Sequence, residues 1–314
     1  MSSATLPGGL EFRRLDASEA PAFGAMTFPA HKHLLSLEPS PRIQKGQQAE
    51  EDAFKVQPWA FGALGDDGKP AALALLLAPL EEGLLAQLLS VFVMPPYRRQ
   101  GVGTALLKAL ETQIQELGAP GMRTTYSSAK NYASIVEKMF EHCAWREPHV
   151  RMHFFNILLE DLSKLTRRLS KPRKGYEISL WCDVTPEEHK QLLEESWTDM
   201  QITPKLDEEG YHRETSMALR YHGRLVGWAL TESLSPERGR VNSTYVRPDL
   251  ARTGALIPML AKSAEIAKGM GYRTITFTAV PSHAKLMHFA YRRLAPLCYS
   301  VIESRGAERH FSDN

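Results

Sequence analysis

Strand-like and helix-like segments occur in the same order twice along this chain, about 150 residues apart, and that repetition limits the possible folds more than any other feature. In the first half, residues 10–15, 59–64, 71–78 and 84–93 alternate apolar and polar positions or run apolar. The turn sequences Gly65-Asp66-Asp67-Gly68 and Glu81-Glu82-Gly83 separate the last three, so they form a meander of hairpins. Residues 102–117 then place Val102, Leu106, Leu110, Ile114 and Leu117 at spacings of three and four, the stripe of an amphipathic helix stopped by Gly118 and Pro120. A strand at 122–127, a helix at 133–143 and a closing strand at 149–159 complete the unit. The order returns with strand 176–182, helix 186–196, strands 216–221, 225–233 and 240–246, helix 255–268, strand 274–279, helix 284–294 and strand 297–304. Alignment of the fourth strands sets Val93 opposite Val246.

A length of 314 residues suits two such units. The expected boundaries are 1–162 for the first domain, 163–175 for a linker and 176–314 for the second. The linker carries Lys164, Arg167, Arg168, Lys171, Arg173 and Lys174 with no acid among them and reads as a solvated charge run. Apolar residues at 43% and charged residues at 24% describe a globular chain able to close its cores. The net charge of +2 leaves no protein-wide field for nucleic acid or an anionic membrane. Cys143, Cys182 and Cys298 are odd in number and far apart, which points to neither a disulfide framework nor a zinc site, and no metal is expected. The apolar run near 71–80 is about half the length of a membrane span, and residues 1–10 lack the pattern of a secretory signal. The expectation is a cytoplasmic protein with no membrane span, its oligomeric state open.

The chemistry concentrates in Val91-Phe92-Val93-Met94-Pro95-Pro96-Tyr97-Arg98-Arg99-Gln100-Gly101-Val102-Gly103-Thr104. A strand runs through a basic turn with two spaced glycines directly into a helix. The glycines let main-chain amides approach an anion, the helix start supplies unpaired N–H groups and positive dipole, and the arginines add charge. The spacing is neither the Rossmann fingerprint nor the P-loop.

Arg98, Gly101 and Gly103 match the core of motif A of the GNAT superfamily of acyl-CoA-dependent N-acyltransferases, which the stretch closely resembles. The resemblance extends to the element order of both halves. It implies an α/β fold of two tandem GNAT-like domains, each a mixed, splayed β-sheet flanked by helices. Acyl-CoA is then the co-substrate: pantetheine runs along Phe92 and Val93, and the pyrophosphate sits on Arg98, Arg99, Gln100, Gly101, Val102, Gly103 and Thr104. Asn131 fits the family asparagine with a two-residue shift. The implied reaction is attack of a primary amine on the thioester, which needs a base, since a free alkylamine has a pKa near about 10.4. It also needs a strand amide for the oxyanion and an acid for the thiolate.

The family's acid is a tyrosine on the helix after the fifth strand. In the first half that position is Phe140, leaving Tyr126, Tyr132 or Ser127 as acids; in the second half it is Tyr291. The second half has a degraded loop, with Ala251 at the basic position and Leu256 at the last glycine, though Arg252 and Gly254 remain. The favoured reading has the first domain bind acyl-CoA and react while the second shapes the acceptor pocket. His31 and His33 lie where GNAT folds overhang the acceptor and are candidate acceptor contacts. Gln87 and Ser90 on the fourth strand can order a water, and Glu232 can partner Tyr291. The apolar strands 71–77 and 84–89 either fill a core on both faces or border an acyl channel. The resemblance implies acetyl as the first choice of acyl group, by its frequency in the family, and the apolar strands make a longer chain the second. The acceptor is a small-molecule amine or a peptide side chain, as in GNAT-like enzymes that lipidate a lysine or ornithine of a ribosomal peptide. A non-catalytic acyl-CoA sensor is the third reading.

Overall fold

The computed structural model describes residues 4–41, 55–81, 83–129, 132–166, 171–195, 203–206 and 210–312. The chain divides into two compact units, Met1–Val150 with Ser304–Asn314, and Arg151–Glu303.

In the first unit, β1 (Ala4–Thr5), β2 (Glu11–Arg14), β3 (Ser40–Pro41), β4 (Lys55–Leu64), β5 (Pro70–Pro79) and β6 (Ala86–Val93) form an antiparallel meander, with β3 pairing only β4. Helix α1 (Val102–Glu116) crosses back to β7 (Gly121–Ser127), which runs parallel to β6, and α2 (Tyr132–His142) follows. The apolar stripe of α1 is buried as its spacing demands: Val102, Leu106, Leu107, Leu110 and Ile114 face the sheet. The helix ends where Gly118 takes a left-handed φ of 85°. Both faces of β5 are covered. Ala72, Ala74 and Leu76 join the core under α1, while Leu73 and Leu75 meet Phe23, Met26, Leu34 and Leu35 of two 3₁₀ segments, Ala20–Met26 and Pro29–Ser36. The apolar excess of these strands is thus a two-faced core.

In the second unit, β9 (Tyr176–Leu180), β10 (Met217–Tyr221), β11 (Arg224–Ser235) and β12 (Arg238–Val246) form the meander. They follow β8 (His149–Leu158) and α3 (Leu159–Thr166) in the chain, and α4 (Pro186–Glu194) lies between β9 and β10. Helix α5 (Leu256–Gly269) leads to β13 (Thr274–Ala279), parallel to β12. Then come α6 (Ala284–Phe289), a π turn at Ala290–Leu294 and β14 (Cys298–His310). Thr185 and Glu188 cap α4 reciprocally, and Glu188 also receives two bonds from Arg220.

The closing strands do not follow the expected boundaries. β8 pairs antiparallel with β13, from Thr274↔Leu158 to Ala279↔His153, so most of it belongs to the second unit. The first unit is closed instead by the end of the chain: Ser304–His310 of β14 pairs with β7, from Ser304↔Ser127 to His310↔Gly121. Hence β14 runs past the expected end at 304, and residues 151–162 leave the first unit. An alternating strand satisfies either open edge, and the hydrophobic pattern specifies a strand's buried face without naming its partner. Close approach at the exchanged edge needs glycine, since a Cβ on Gly121 would lie 2.2 Å from the Arg309 carbonyl oxygen. In the second unit, Asn156 anchors β8: its Oδ1 accepts from Thr276 Oγ1 at 2.8 Å and its Nδ2 donates to Ser300 Oγ at 3.1 Å.

Candidate functional site

The parallel contact of β6 with β7 is short. It pairs Ala86, Gln87 and Leu88 with Met122, Arg123 and Thr124. Thr124 Oγ1 donates to the Leu88 carbonyl at 3.0 Å, and a bulge follows at residue 89. From there β6 continues to Val93 without a β7 partner, so the sheet opens along the edge of residues 90–93.

The basic turn lies at the end of that opening. Arg98 is folded back: its Nε donates to the Val93 carbonyl at 2.8 Å and its guanidinium lies 5.3 Å from the Phe92 ring centre. Gln100 Nε2 similarly closes on the Pro96 carbonyl at 2.8 Å. These contacts brace the turn and leave its backbone to meet a ligand. Arg99 and Gly101 adopt φ of 63° and 79°, the second serving as N-cap of α1. No side chain caps the helix, and the first α-helical bond runs from Ala105 N to Gly101 O at 3.0 Å, which leaves the N–H groups of Val102, Gly103 and Thr104 for an anion. A Cβ on Gly103 would lie 3.8 Å from Val93 and 3.6 Å from Met139 of α2, so this position borders the opening. The arrangement sets an uncapped helix start, able to meet an anion, beside an unpaired strand edge.

The acid candidates of the first unit are dispersed. Phe140 is core, stacked 4.6 Å from Trp145 at 18°. Tyr126 Oη donates to Glu137 Oε1 at 2.8 Å, and Arg305, on the exchanged part of β14, donates to the same oxygen at 2.7 Å. Burial, together with the Glu137 carboxylate, pushes the Tyr126 phenol well above its usual range, so Tyr126 holds its proton toward Glu137. Tyr132 is exposed at the start of α2, Ser127 Oγ accepts from Ala129 N at 3.1 Å, and Asn131 lies outside the described residues. On the opposite side of the sheet, Thr27 and Ser90 hydroxyls 3.0 Å apart hold the 3₁₀ segments over β6. His31 on those segments is half-buried, and its Nδ1 is buried without a partner. Burial lowers its pKa, with a further push from His33, which is exposed. Gln87 Oε1 is likewise buried without a partner.

The second unit repeats the opening. β12 pairs with β13 only from Arg238↔Thr274 to Val241↔Phe277, and Thr278 Oγ1 donates to the Val241 carbonyl at 3.2 Å. Its turn is different. Arg247 is bound to Asp249 at 2.7 and 3.0 Å, Leu256 stands where α1 has Gly103, and Pro258 removes an N–H from the first turn of α5. Tyr291 is about half exposed, and its hydroxyl lies 3.1 Å from Nδ1 of His153, a buried residue of β8. Its ring meets Phe155 edge-on at 5.3 Å, and burial, followed by the charge of Glu303, raises its pKa. Glu232 pairs with Arg240 across the β11–β12 hairpin, so its carboxylate is committed there. Reading the sequence missed His153, Glu137 and Arg305. Their partners stand 138, 11 and 168 residues away, and the two long separations arise from the strand exchange.

Residues 29–143 match the acetyltransferase (GNAT) family. The [ribosomal protein bS18]-alanine N-acetyltransferase of Escherichia coli strain K12 is 32% identical over 92 residues, which are 29% of this chain; the chain spans 58% of the length of that relative. Among solved structures, a tandem GNAT protein from the clavulanic acid biosynthesis pathway superposes with a TM-score of 0.57 at 14% identity, covering 95% of this chain and 98% of that one. A GCN5-related N-acetyltransferase from Sphaerobacter thermophilus gives 0.54 at 18% identity, covering 98% and 97%. The two structural likenesses establish the fold.

Proposed function

We propose that this chain, a tandem GNAT-fold protein whose first unit carries the GNAT-family match, is an N-acyltransferase that moves an acyl group from acyl-CoA to a primary amine. One observation carries the reading: the uncapped start of α1, with Gly101 in a left-handed conformation, opens beside the unpaired edge of β6. Val102, Gly103 and Thr104 hold the pyrophosphate, Arg98 and Gln100 brace the turn, and the edge of Phe92 and Val93 pairs with pantetheine. The thioester supplied by the co-substrate is the acyl donor. Both faces of β5 are filled by protein side chains, which favours acetyl over a longer chain. His31 is the candidate base on the acceptor side: its lowered pKa keeps the imidazole neutral, and with Nδ1 buried it is Nε2 that takes the proton. The acceptor is a small amine or the amine of a peptide. The bacterial relative is named for an alanine of ribosomal protein bS18, so amines of alanine-bearing peptides belong with those to be tried first.

Release of free thiol from acetyl-CoA, measured over a panel of small amines and Ala-terminated peptides, tests the activity. Binding of acetyl-CoA with no thiol release for any amine refutes catalysis and leaves the sensor reading. His31→Gln should lower turnover and remove the acidic limb of its pH profile while leaving acetyl-CoA affinity unchanged. The Tyr291–His153 pair favours a second reading, with proton delivery in the second unit. Tyr291→Phe separates the two, because a large loss of turnover with acetyl-CoA affinity intact moves the chemistry there.

A further inference from the structure

We propose that the acceptor is a free amino acid, with its carboxylate on Arg123 of the first unit and an N–H of its amine on Gln87 Oε1; the inference rests on the acyltransfer reading and names the substrate class of that site. Leu77 of β5, Gln87 of β6, Arg123 of β7 and Glu308 of β14 stand opposite one another on successive strands, so their side chains share one face of the sheet. Their chain neighbours Ala78, Ala86, Leu88, Met122 and Ala307 pack into the core under α1. The row therefore lies on the other face, the side of the 3₁₀ segments that carry His31. It is one residue short of the last β6–β7 pair, Leu88↔Thr124, and so borders the strand opening.

Both central members of the row are unsatisfied. Gln87 Oε1 is buried with no hydrogen-bond partner. Arg123 is half-buried and makes no ion pair or side-chain hydrogen bond among the described residues. Glu308, the acid beside it, is turned to His310, whose Nε2 lies 3.2 Å from Oε2. A buried oxygen with no donor and a shielded guanidinium with no acceptor both raise the free energy of the empty site, and a ligand that supplies an N–H to one and a carboxylate to the other relieves both. The second unit has the corresponding row, Glu232, Arg240, Thr276 and Asn156, with Arg240 at the same interval before Val246 as Gln87 is before Val93. There the side chains bind one another: Arg240 pairs with Glu232, and Thr276 Oγ1 donates to Asn156 Oδ1 at 2.8 Å. The unsatisfied pair thus belongs to the unit whose turn carries Gly101 and Gly103.

The donor set selects the class of ligand. One guanidinium beside a primary amide, with a carboxylate close by, matches a planar monoanion held by a two-pronged bond. A phosphate dianion would meet Glu308 and find no second cation in the row. Gln87 and Arg123 are register partners on adjacent strands, about 4.8 Å apart, so the N–H and the carboxylate that they take belong to one small molecule. An amino acid so held has its amine on the Gln87 side, next to the opening. The first residue of a peptide carries an amide in place of that carboxylate and leaves Arg123 without a partner.

The test titrates the full chain in saturating coenzyme A, where no acyl group can transfer, with glycine, L-alanine, L-phenylalanine, β-alanine and γ-aminobutyrate, each beside its carboxamide. The same compounds are then offered with acetyl-CoA and thiol release is followed. At least one amino acid should bind about tenfold or more tightly than its carboxamide, the scale of a charge-assisted hydrogen bond, with a KM lower in proportion. Arg123→Gln should remove that difference by raising the KM of the acid, and Gln87→Leu should weaken acid and carboxamide alike. Neither side chain is bonded within the protein, so both variants should fold, which circular dichroism checks. Lys108→Gln, exposed on α1, should change nothing. Acid and carboxamide binding equally, or a preference for the acid that survives Arg123→Gln, overturns the proposal and leaves acyl transfer standing if thiol is released. Binding of none of these compounds overturns it as well, whatever thiol release shows. Binding that depends on the carboxylate and on Arg123, with no thiol released, keeps the amino-acid site and overturns acyl transfer.

Discussion

Gly103→Glu should separate folding from binding, with opposite signs. The position is the second residue of α1, and a Cβ there makes ordinary contacts at 3.6 Å to Met139 and 3.8 Å to Val93. Replacing glycine in a helix gains about 0.5–1 kcal/mol, and a carboxylate in the first turn gains a further 0.3–1 kcal/mol or so from the helix dipole. The variant should therefore melt at the same temperature as the parent or a few degrees higher. Under the proposed function, the same carboxylate enters the opening assigned to the co-substrate's phosphates. At a separation of about 5 Å and an effective dielectric of about 20, one pair of unit charges repels by about 3 kcal/mol, or roughly two decades in affinity. Calorimetric titration with coenzyme A should show about a hundredfold loss, and Gly103→Ala, which adds only the Cβ, should bind nearly as the parent does. A folded Gly103→Glu protein with affinity within threefold of the parent would refute the placement of the phosphates at α1.

Two further substitutions test the frame that carries the site. Gly121→Val places atoms against the Arg309 carbonyl, where 2.2 Å is available. It should cost about 1–3 kcal/mol and lower the melting temperature by several degrees, with faster proteolysis after residue 304. Glu188→Gln removes a carboxylate whose pKa Arg220 lowers from the ordinary value of 4.5 through hydrogen bonds at 2.5 and 2.8 Å. Because the folded pKa is depressed, its contribution is fully present above pH 4.5 and is lost as the pH falls through the folded value. The variant should lose about 1–2 kcal/mol at neutral pH and show a flatter decline between about pH 5 and 3 in acid-melting curves; a parallel decline would show that the pair does not contribute.

Elements whose signal is local were legible in the sequence. The α1 stripe, the hairpins of β4 to β6 and the glycine-bearing turn depend on residues within a few positions of one another, and each stands where the spacing puts it. Phe140 stands where the family that the chain resembles carries a tyrosine, and its stack on Trp145 makes the ring part of the core. Pairings between distant strands were not legible. β8 and the end of β14 are both alternating strands following a helix, and either can close either edge; the choice rests on contacts such as Asn156 with Thr276 and Gly121 against Arg309. The Glu137–Arg305 and Tyr291–His153 contacts inherit that choice. Composition left two uses for the leucines of β5, a two-faced core or the border of an acyl channel, and the side chains of both faces lie in core clusters.

The exchange makes the domain that the sequence suggests an unsuitable piece to isolate. A fragment of residues 1–162 keeps the α1 turn and the opening beside β6. It loses Ser304–His310, which pair with all seven residues of β7, and it loses the Arg305 bond to Glu137. Without them β7 becomes an open edge with unpaired N–H and C=O groups, and β8 loses the ladder it forms with β13. Such a fragment should aggregate or dimerise through β7. Appending residues 304–314 through a flexible linker, and ending the first segment at Val150, should restore a monomer that binds coenzyme A with the affinity of the full chain. Size-exclusion chromatography with light scattering distinguishes the two designs. A monomeric, folded 1–162 fragment would mean that β8 can close the first unit after all, and the exchange would then be one of two accessible pairings rather than a requirement of the fold.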